Sequence, residues 1–202
     1  MNNVNQEKNP AFSTAVFAGG CFWCVEHDLR ALPGVVNAVS GYSGGDMPNP
    51  TYTNHDGHPP FAHSRYGGAQ REAVQVTYDP QKISFKKLCQ FFLDHIDPTD
   101  AGGQFYDRGE SYKTAIYYKN AEEKSVAESL IQELDDSGLF APEKVAVQVL
   151  PEKLFYQAEE YHQDYAHKNP DHYNRYAAGS GRVQFVANTC AVREQKHIEW
   201  KE

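Results

Sequence analysis

A strand-like run, Ser13-Thr14-Ala15-Val16-Phe17, passes through Ala18-Gly19-Gly20 and turns at once into Cys21-Phe22-Trp23-Cys24. No other stretch restricts the fold of this chain as tightly. After the glycines, Phe22, Val25, Leu29 and Leu32 recur at helical spacing until Pro33-Gly34 ends the pattern. A strand must therefore hand over to a helix with almost no connecting loop, and Gly19 and Gly20 allow another backbone or a ligand to come close. Cys21 falls on the first turn of that helix. Unpaired backbone N–H groups there favour an anion, so the position suits a thiolate. The run predicts a nucleophilic cysteine beside an aromatic platform of Phe22 and Trp23.

The rest of the chain supplies a mixed order of elements. Val35 to Tyr42 alternates as a strand and ends in Ser43-Gly44-Gly45; residues 46–70 are loop-rich; Glu72 to Tyr78 is a strand closed by Asp79-Pro80. Ser84 caps a helix whose Phe85, Leu88, Cys89, Phe92 and Ile96 form one apolar stripe. A polar loop covers Asp97 to Ser111, and Tyr112 to Tyr118 is a strand. Asn120 and Glu123 form a capping box for a helix that Gly138 stops, and Val145, Val147 and Val149 alternate in a further strand. Phe155 to His167 reads as a helix stopped by Asn169-Pro170, and the segment after Gly179 shows no strong periodicity. Regular βαβ repetition is missing. The expected fold is therefore α+β: a two-layer sandwich with a mixed, mostly antiparallel sheet, a ferredoxin-like core and long loops. The expected organisation is a lead-in over residues 1–12, a catalytic domain over 13–178 and a C-terminal tail over 179–202 that carries Cys190.

Composition excludes whole classes of function. A formal charge of −8 argues against a general nucleic-acid binder or an anionic-membrane binder. No apolar run approaches a membrane span, and the polar N-terminus lacks a signal-peptide core, so the expected location is the cytoplasm. Four cysteines in 202 residues do not make a disulfide scaffold. Cys89, on an apolar stripe, reads as a small buried hydrophobe. Cys21 and Cys24 form a Cys-x-x-Cys pair; zinc would want a second pair, which Cys89 and Cys190 do not provide, so no metal is expected. A dithiol–disulfide oxidoreductase using Cys21 and Cys24 is the alternative reading of the pair.

Gly19-Gly20-Cys21-Phe22-Trp23 with Val25-Glu26 resembles the signature of the A-type methionine sulfoxide reductases. The resemblance continues in order through Leu32-Pro33-Gly34-Val35, Gly41-Tyr42-Ser43-Gly44-Gly45, Asn49-Pro50-Thr51-Tyr52, Glu72-Ala73-Val74 with Tyr78-Asp79-Pro80, and His95-Ile96-Asp97-Pro98-Thr99. Asp107 to Lys113, Ala158 to Tyr165 and Lys168-Asn169-Pro170 complete it. It implies reduction of the S epimer of methionine sulfoxide, free or in oxidised proteins, by a monomer that needs no cofactor. It implies Cys21 as nucleophile and Glu72 as general acid. Asp107, Tyr52 and Tyr112 would bind and polarise the sulfoxide oxygen, and Phe22 and Trp23 would hold the S-methyl group. The Cys21 sulfenic acid would condense with a second thiol, and thioredoxin would reduce the disulfide. Without the resemblance, a lone Glu in a strand is ordinarily solvent-facing and a Tyr at a strand end is ordinarily packing.

The chain departs from the family pattern in two places. Position 24 is often glycine and here is Cys24, while the recycling cysteine that often follows Asn-Pro is replaced by Asn174 in Asp171-His172-Tyr173-Asn174. The resolving thiol is then Cys190, carried by a mobile tail, or Cys24, with the tail preferred because family tails commonly supply it; direct reduction of the sulfenic acid by an external thiol is the third route. Before Glu72 the family's His is replaced by Gln70, after a longer loop holding His55, His58 and His63. That loop is expected to be solvated, near the substrate entrance, and not a metal site.

Overall fold

The computed structural model describes residues 11–54 and 69–201; the histidine-bearing loop and most of the lead-in lie outside them. In chain order the elements are β1 (Ser13–Ala18), α1 (Phe22–Arg30), β2 (Val35–Ser43), β3 (Arg71–Tyr78), α2 (Phe85–Asp94), β4 (Gly103–Gln104), β5 (Asp107–Arg108) and β6 (Ala115–Tyr118). Then come α3 (Ala121–Asp136), β7 (Gln148–Pro151), β8 (Tyr156–Gln157), α4 (Tyr165–Lys168), α5 (Pro170–Gly179) and α6 (Arg182–Gln195). Six strands form one mixed sheet in the order β7-β6-β1-β3-β2-β8, and β4 and β5 pair as a separate short ribbon. Among the described strands only the β6–β7 pair is parallel. Its crossover is α3, as a parallel connection requires.

The apolar stripes read from the sequence make the core. Phe17 and Val74 from the sheet meet Phe22, Val25 and Leu29 of α1, Leu88, Cys89 and Phe92 of α2, and Leu130 of α3 in one cluster. Cys89 is wholly buried there. The helix starts are capped locally. The Ser84 hydroxyl accepts from the Lys87 N–H at 3.1 Å and the Asn120 side chain from the Glu123 N–H at 2.9 Å. Glu123 returns its bond to the N–H of Lys119, one residue ahead of the cap.

The β1–α1 junction is tight for a specific reason. A Cβ on Gly19 would stand 2.7 Å from Phe92 and 2.9 Å from Val25. Gly20 has φ +79, and a Cβ there would meet Gln104 at 2.5 Å. The close approach that the glycines allow is thus made by the core and by the β4 side chain.

Three elements differ from the sequence reading. Tyr112 closes a 3-10 turn, Glu110–Tyr112, and the strand begins only at Ala115. The strand expected at Val145 starts at Gln148, where pairing with Ala115 becomes available. The largest change is at Phe155 to His167, which is not one helix. Tyr156 pairs with Tyr42 at the edge of β2, the Ala158 N–H donates to the Ser40 carbonyl at 2.9 Å, and Gln163 bonds both the N–H and the carbonyl of Ser40. These tertiary bonds to an open sheet edge replace helical ones. The stop at Asn169-Pro170 holds for the short α4, whose C-cap is Asn169, and Pro170 at once opens α5. Beyond Gly179 the chain is helical in α6, held by Arg193 on Asp94 at 2.9 Å and by Arg182 on Asp28 at 2.7 Å.

Candidate active site

Cys21 is the residue just before α1, with φ −53 and ψ 119, and is partly exposed. The N–H of the next residue, Phe22, donates to Oε2 of Glu72 at 2.9 Å. Glu72 sits on β3 and is 2% exposed. Burial, the nearby carboxylate of Asp107 and the charge of Cys24 drive its pKa up to about 8, against the opposing hydrogen bonds from Phe22 and Tyr112. A strand glutamate that would ordinarily face water is therefore a protonated acid inside the protein at neutral pH.

Asp107, on β5, is pushed above the usual carboxylate range by burial, against a hydrogen bond donated by the Tyr176 hydroxyl. Tyr52 is held up to about 12 by burial and by the charges of Glu72, Cys21 and Asp107. Tyr112 is raised well above its ordinary value by burial and by Glu72. Both hydroxyls thus keep their protons and remain donors. The structure brings Cys21, Glu72, Asp107, Tyr52 and Tyr112 to one place from five separate segments.

The aromatic platform is more enclosed than the sequence suggests. Phe22 is buried among Trp23, Tyr42, Tyr52 and His162, with ring centroids 5.0 to 6.4 Å away. Trp23 stacks on Tyr165 at 3.8 Å and 6°, and its Nε1 donates to Nδ1 of His162 at 3.1 Å. Glu159 joins two parts of the wall: it accepts from the Tyr42 hydroxyl at 2.9 Å and from the Tyr52 N–H at 3.0 Å. Gln70, which stands in place of the family's His, is buried and bridges the Met47 carbonyl and the Gly45 N–H. It therefore shapes the turn ahead of Tyr52.

The two thiols of the Cys-x-x-Cys pair touch each other. Burial, the hydrogen bond with Cys24 and the charges of Cys24 and Glu72 push Cys21 well above the ordinary thiol range. Cys24 is lowered, first by the hydrogen bond from Cys21 and then, against its own burial, by Arg182. Of the two thiols, Cys24 is therefore the one that loses its proton more readily. Cys190 is exposed, halfway along α6, and its charged neighbours are Asp94, Arg193 and Glu194, a different group from those around Cys21. Tyr165, Tyr173, Tyr176, His162 and Arg182 were not legible as site residues, because their places depend on how residues 160–182 fold back over α1. No group of three metal-ligating side chains occurs among the described residues, and no described helix is long and apolar enough to cross a membrane.

Comparison with known proteins agrees with this geometry. The peptide methionine sulfoxide reductase family model matches residues 13–194. The peptide methionine sulfoxide reductase MsrA of Bacillus velezensis is 47% identical over 176 residues, covering 85% of this chain and 92% of its own length. The Bacillus subtilis MsrA is 45% identical over 177 residues, covering 86% and 93%. Among solved structures, reduced Mxr1 from Saccharomyces cerevisiae superposes with a TM-score of 0.66 at 28% identity, covering 79% of this chain and 86% of its own. Methionine sulfoxide reductase A of Corynebacterium diphtheriae gives 0.65 at 30% identity, covering 80% and 76%.

Proposed function

This chain belongs to the peptide methionine sulfoxide reductase family, and from that premise we propose how its residues reduce the S epimer of methionine sulfoxide, free or in oxidised proteins. The observation that carries the reading is the buried Glu72 carboxyl, its pKa raised to about 8, bonded to the helix start beside Cys21. A sulfoxide oxygen is a poor leaving group unless it is protonated, and an acid with a pKa near the working pH is suited to supply that proton.

Cys21 attacks the sulfoxide sulfur while Glu72 protonates the oxygen. Tyr52 and Tyr112, both kept as donors, and Asp107 orient that oxygen. Trp23 and the enclosed Phe22 provide the apolar wall for the S-methyl group, with sulfur–aromatic contact adding to burial. The net first step transfers oxygen: the Cys21 thiol and the sulfoxide become a Cys21 sulfenic acid and methionine. Condensation with a second thiol then releases water and forms a disulfide. Contact with Cys21 favours Cys24 over Cys190 for that role. A thioredoxin-type dithiol reopens the bridge by exchange. No metal or organic cofactor enters these steps. We read the central β1–α1–β2–β3–α2–β6 run as a ferredoxin-like core, residues 13–178 as the catalytic unit, the protein as a monomer and the cytoplasm as its location.

The test is sulfoxide turnover with each pure epimer, with and without thioredoxin. Consumption of the S epimer alone, catalytic only with thioredoxin present, is the expected result. Turnover of the R epimer, or disulfide exchange without sulfoxide reduction, overturns the reading.

A further inference from the structure

Cys24 and Asp28 stand four residues apart on α1, so both face the side on which α5 and α6 pack. Arg182, the first residue of α6, reaches into that interface. It follows Gly181, whose φ of +85 turns the chain sharply after Ser180. Its side chain is only 7% exposed, its Nη2 lies 2.7 Å from Oδ2 of Asp28, and its guanidinium stands over the ring of Phe105 at 5.9 Å. Cys24, 1% exposed, packs on Tyr173 and Ala177 of α5 in the same region. A buried guanidinium is costly to keep, and one carboxylate is its only ion-pair partner among the described residues. Arg182 also attracts the charge of Asp107.

We propose that Arg182 is a positioning residue for disulfide closure: fixed by Asp28, its charge keeps Cys24 ready to attack the Cys21 sulfenic acid. The inference rests on the reading of Cys24 as the resolving thiol. In the step, the Cys24 thiolate attacks the Cys21 sulfur and the S–S bond forms. The S–O bond breaks, and the departing hydroxide takes a proton from Glu72 and leaves as water. Cys24 is oxidised and Cys21 is reduced from sulfenic acid to disulfide.

The groups that bear on Cys24 divide clearly. Cys21 and Tyr173 donate hydrogen bonds to it and Arg182 attracts its charge, while Asp28 and its own burial oppose ionisation. Glu72 is also within electrostatic reach of Cys24. Below pH about 8 Glu72 is neutral, so Arg182 and Asp28 are the fixed charges that face this thiol.

A single-turnover experiment on the full chain tests the idea, following methionine release, sulfenic acid trapping by dimedone and the Cys21–Cys24 bridge by mass spectrometry. In Arg182→Met, methionine release should slow less than bridge closure. Closure at pH 7 should slow several-fold, because Cys24 loses thiolate when the attraction of Arg182 is removed. Raising the pH toward 8, where Glu72 still keeps part of its proton, should restore part of the closure rate, and Arg182→Lys should rescue it in part. A role in packing alone would do neither. An unchanged rate, or a slowing equal at all pH values, overturns the proposal. Should Arg182→Met fail to fold, the 240 nm titration of Cys24 in Cys21→Ser decides: ionisation below the ordinary thiol range supports the proposal, and ionisation within or above that range sinks it. A wild-type Cys21–Cys190 bridge removes the reading of Cys24 and this proposal together, whereas a Cys21–Cys24 bridge with unaltered Arg182→Met kinetics removes only the role of Arg182.

Discussion

The main-chain N–H of Phe22 donates to Oε2 of Glu72 at 2.9 Å, across 50 residues of sequence. One bond ties the start of the helix beside the nucleophile to the strand that carries the acid. Tyr112 hydrogen-bonds the same carboxyl, so the acid is fixed from both sides.

Replacing Glu72 with Gln keeps an acceptor for Phe22 but removes the proton source. Sulfoxide turnover should fall by about 10²–10⁴-fold, the usual range for a lost general acid, while exchange at the Cys-x-x-Cys pair persists. In the wild type the acid-dependent limb should decline as pH rises through about 8. Stability should fall with rising pH as well. A carboxyl whose pKa is raised by folding stabilises the fold fully below its unfolded value, and that contribution is lost as pH climbs from about 4.5 to about 8. Glu72→Gln should therefore be more stable than wild type at pH 7, by up to roughly 3 kcal/mol, with the gap closing toward pH 4. Equal denaturation midpoints at both pH values would contradict the buried-acid account.

The two candidate resolving thiols differ in the loop they close. A Cys21–Cys24 bridge encloses so few residues that it should stabilise the oxidised protein by only roughly 2 kcal/mol, against roughly 5 kcal/mol for Cys21–Cys190. Denaturant titration of reduced and once-oxidised enzyme should show the smaller difference. Cys24→Ser should still release one equivalent of methionine, and Cys190→Ser should cycle normally. Loss of the first equivalent in Cys24→Ser would show that Cys24 takes part in oxygen transfer.

Gly20→Ala tests the junction. The residue has φ +79, and the added methyl would meet Gln104 at 2.5 Å. A loss of about 1–3 kcal/mol in stability is expected, together with reduced turnover because Cys21 is displaced. Thermal melts and steady-state assays would report both; a neutral substitution would mean that the turn is not constrained as described.

Glu26 is a buried carboxylate that accepts from the Ser40 hydroxyl at 2.8 Å, from Arg30 at 2.5 Å and from the Asp164 N–H at 3.0 Å. Asp164 has a left-handed φ of 54 and follows the turn that carries His162. Glu26→Ala should cost about 3–5 kcal/mol by leaving Arg30 and the Asp164 N–H without this acceptor. It should also raise KM more than it lowers kcat, because His162 and Tyr165 hold Trp23. A fall in stability with unchanged KM would separate the network from substrate binding.

Much of this fold was legible because its signals are local. Ser84, Asn120, the glycine pair and the apolar stripes of α1, α2 and α3 each act within one or two turns of chain. The stretch from Phe155 to His167 was illegible for the opposite reason: its conformation is set by Ser40, Glu26 and the open edge of β2, more than 100 residues away in sequence. Cys21, Glu72, Asp107, Tyr52 and Tyr112 were found through ordered motifs. Tyr165, Tyr176 and Arg182 were missed because an exposed-looking Tyr or Arg acquires meaning only when α5 and α6 close over α1. The opposite shifts of the two thiols were not legible either, since they arise from burial and from the contact between Cys21 and Cys24.

Trp23 is one of only two tryptophans in the chain. Its indole is stacked on Tyr165 and bonded to His162, next to the Cys21–Cys24 pair, while Trp200 is held at the far end of the chain by Asp94 and Arg193. The protein thus carries its own optical probe. Disulfides quench indole emission on contact, so closure of the bridge should dim Trp23 and leave Trp200 as an internal reference. Each redox cycle could then be watched in real time without a label.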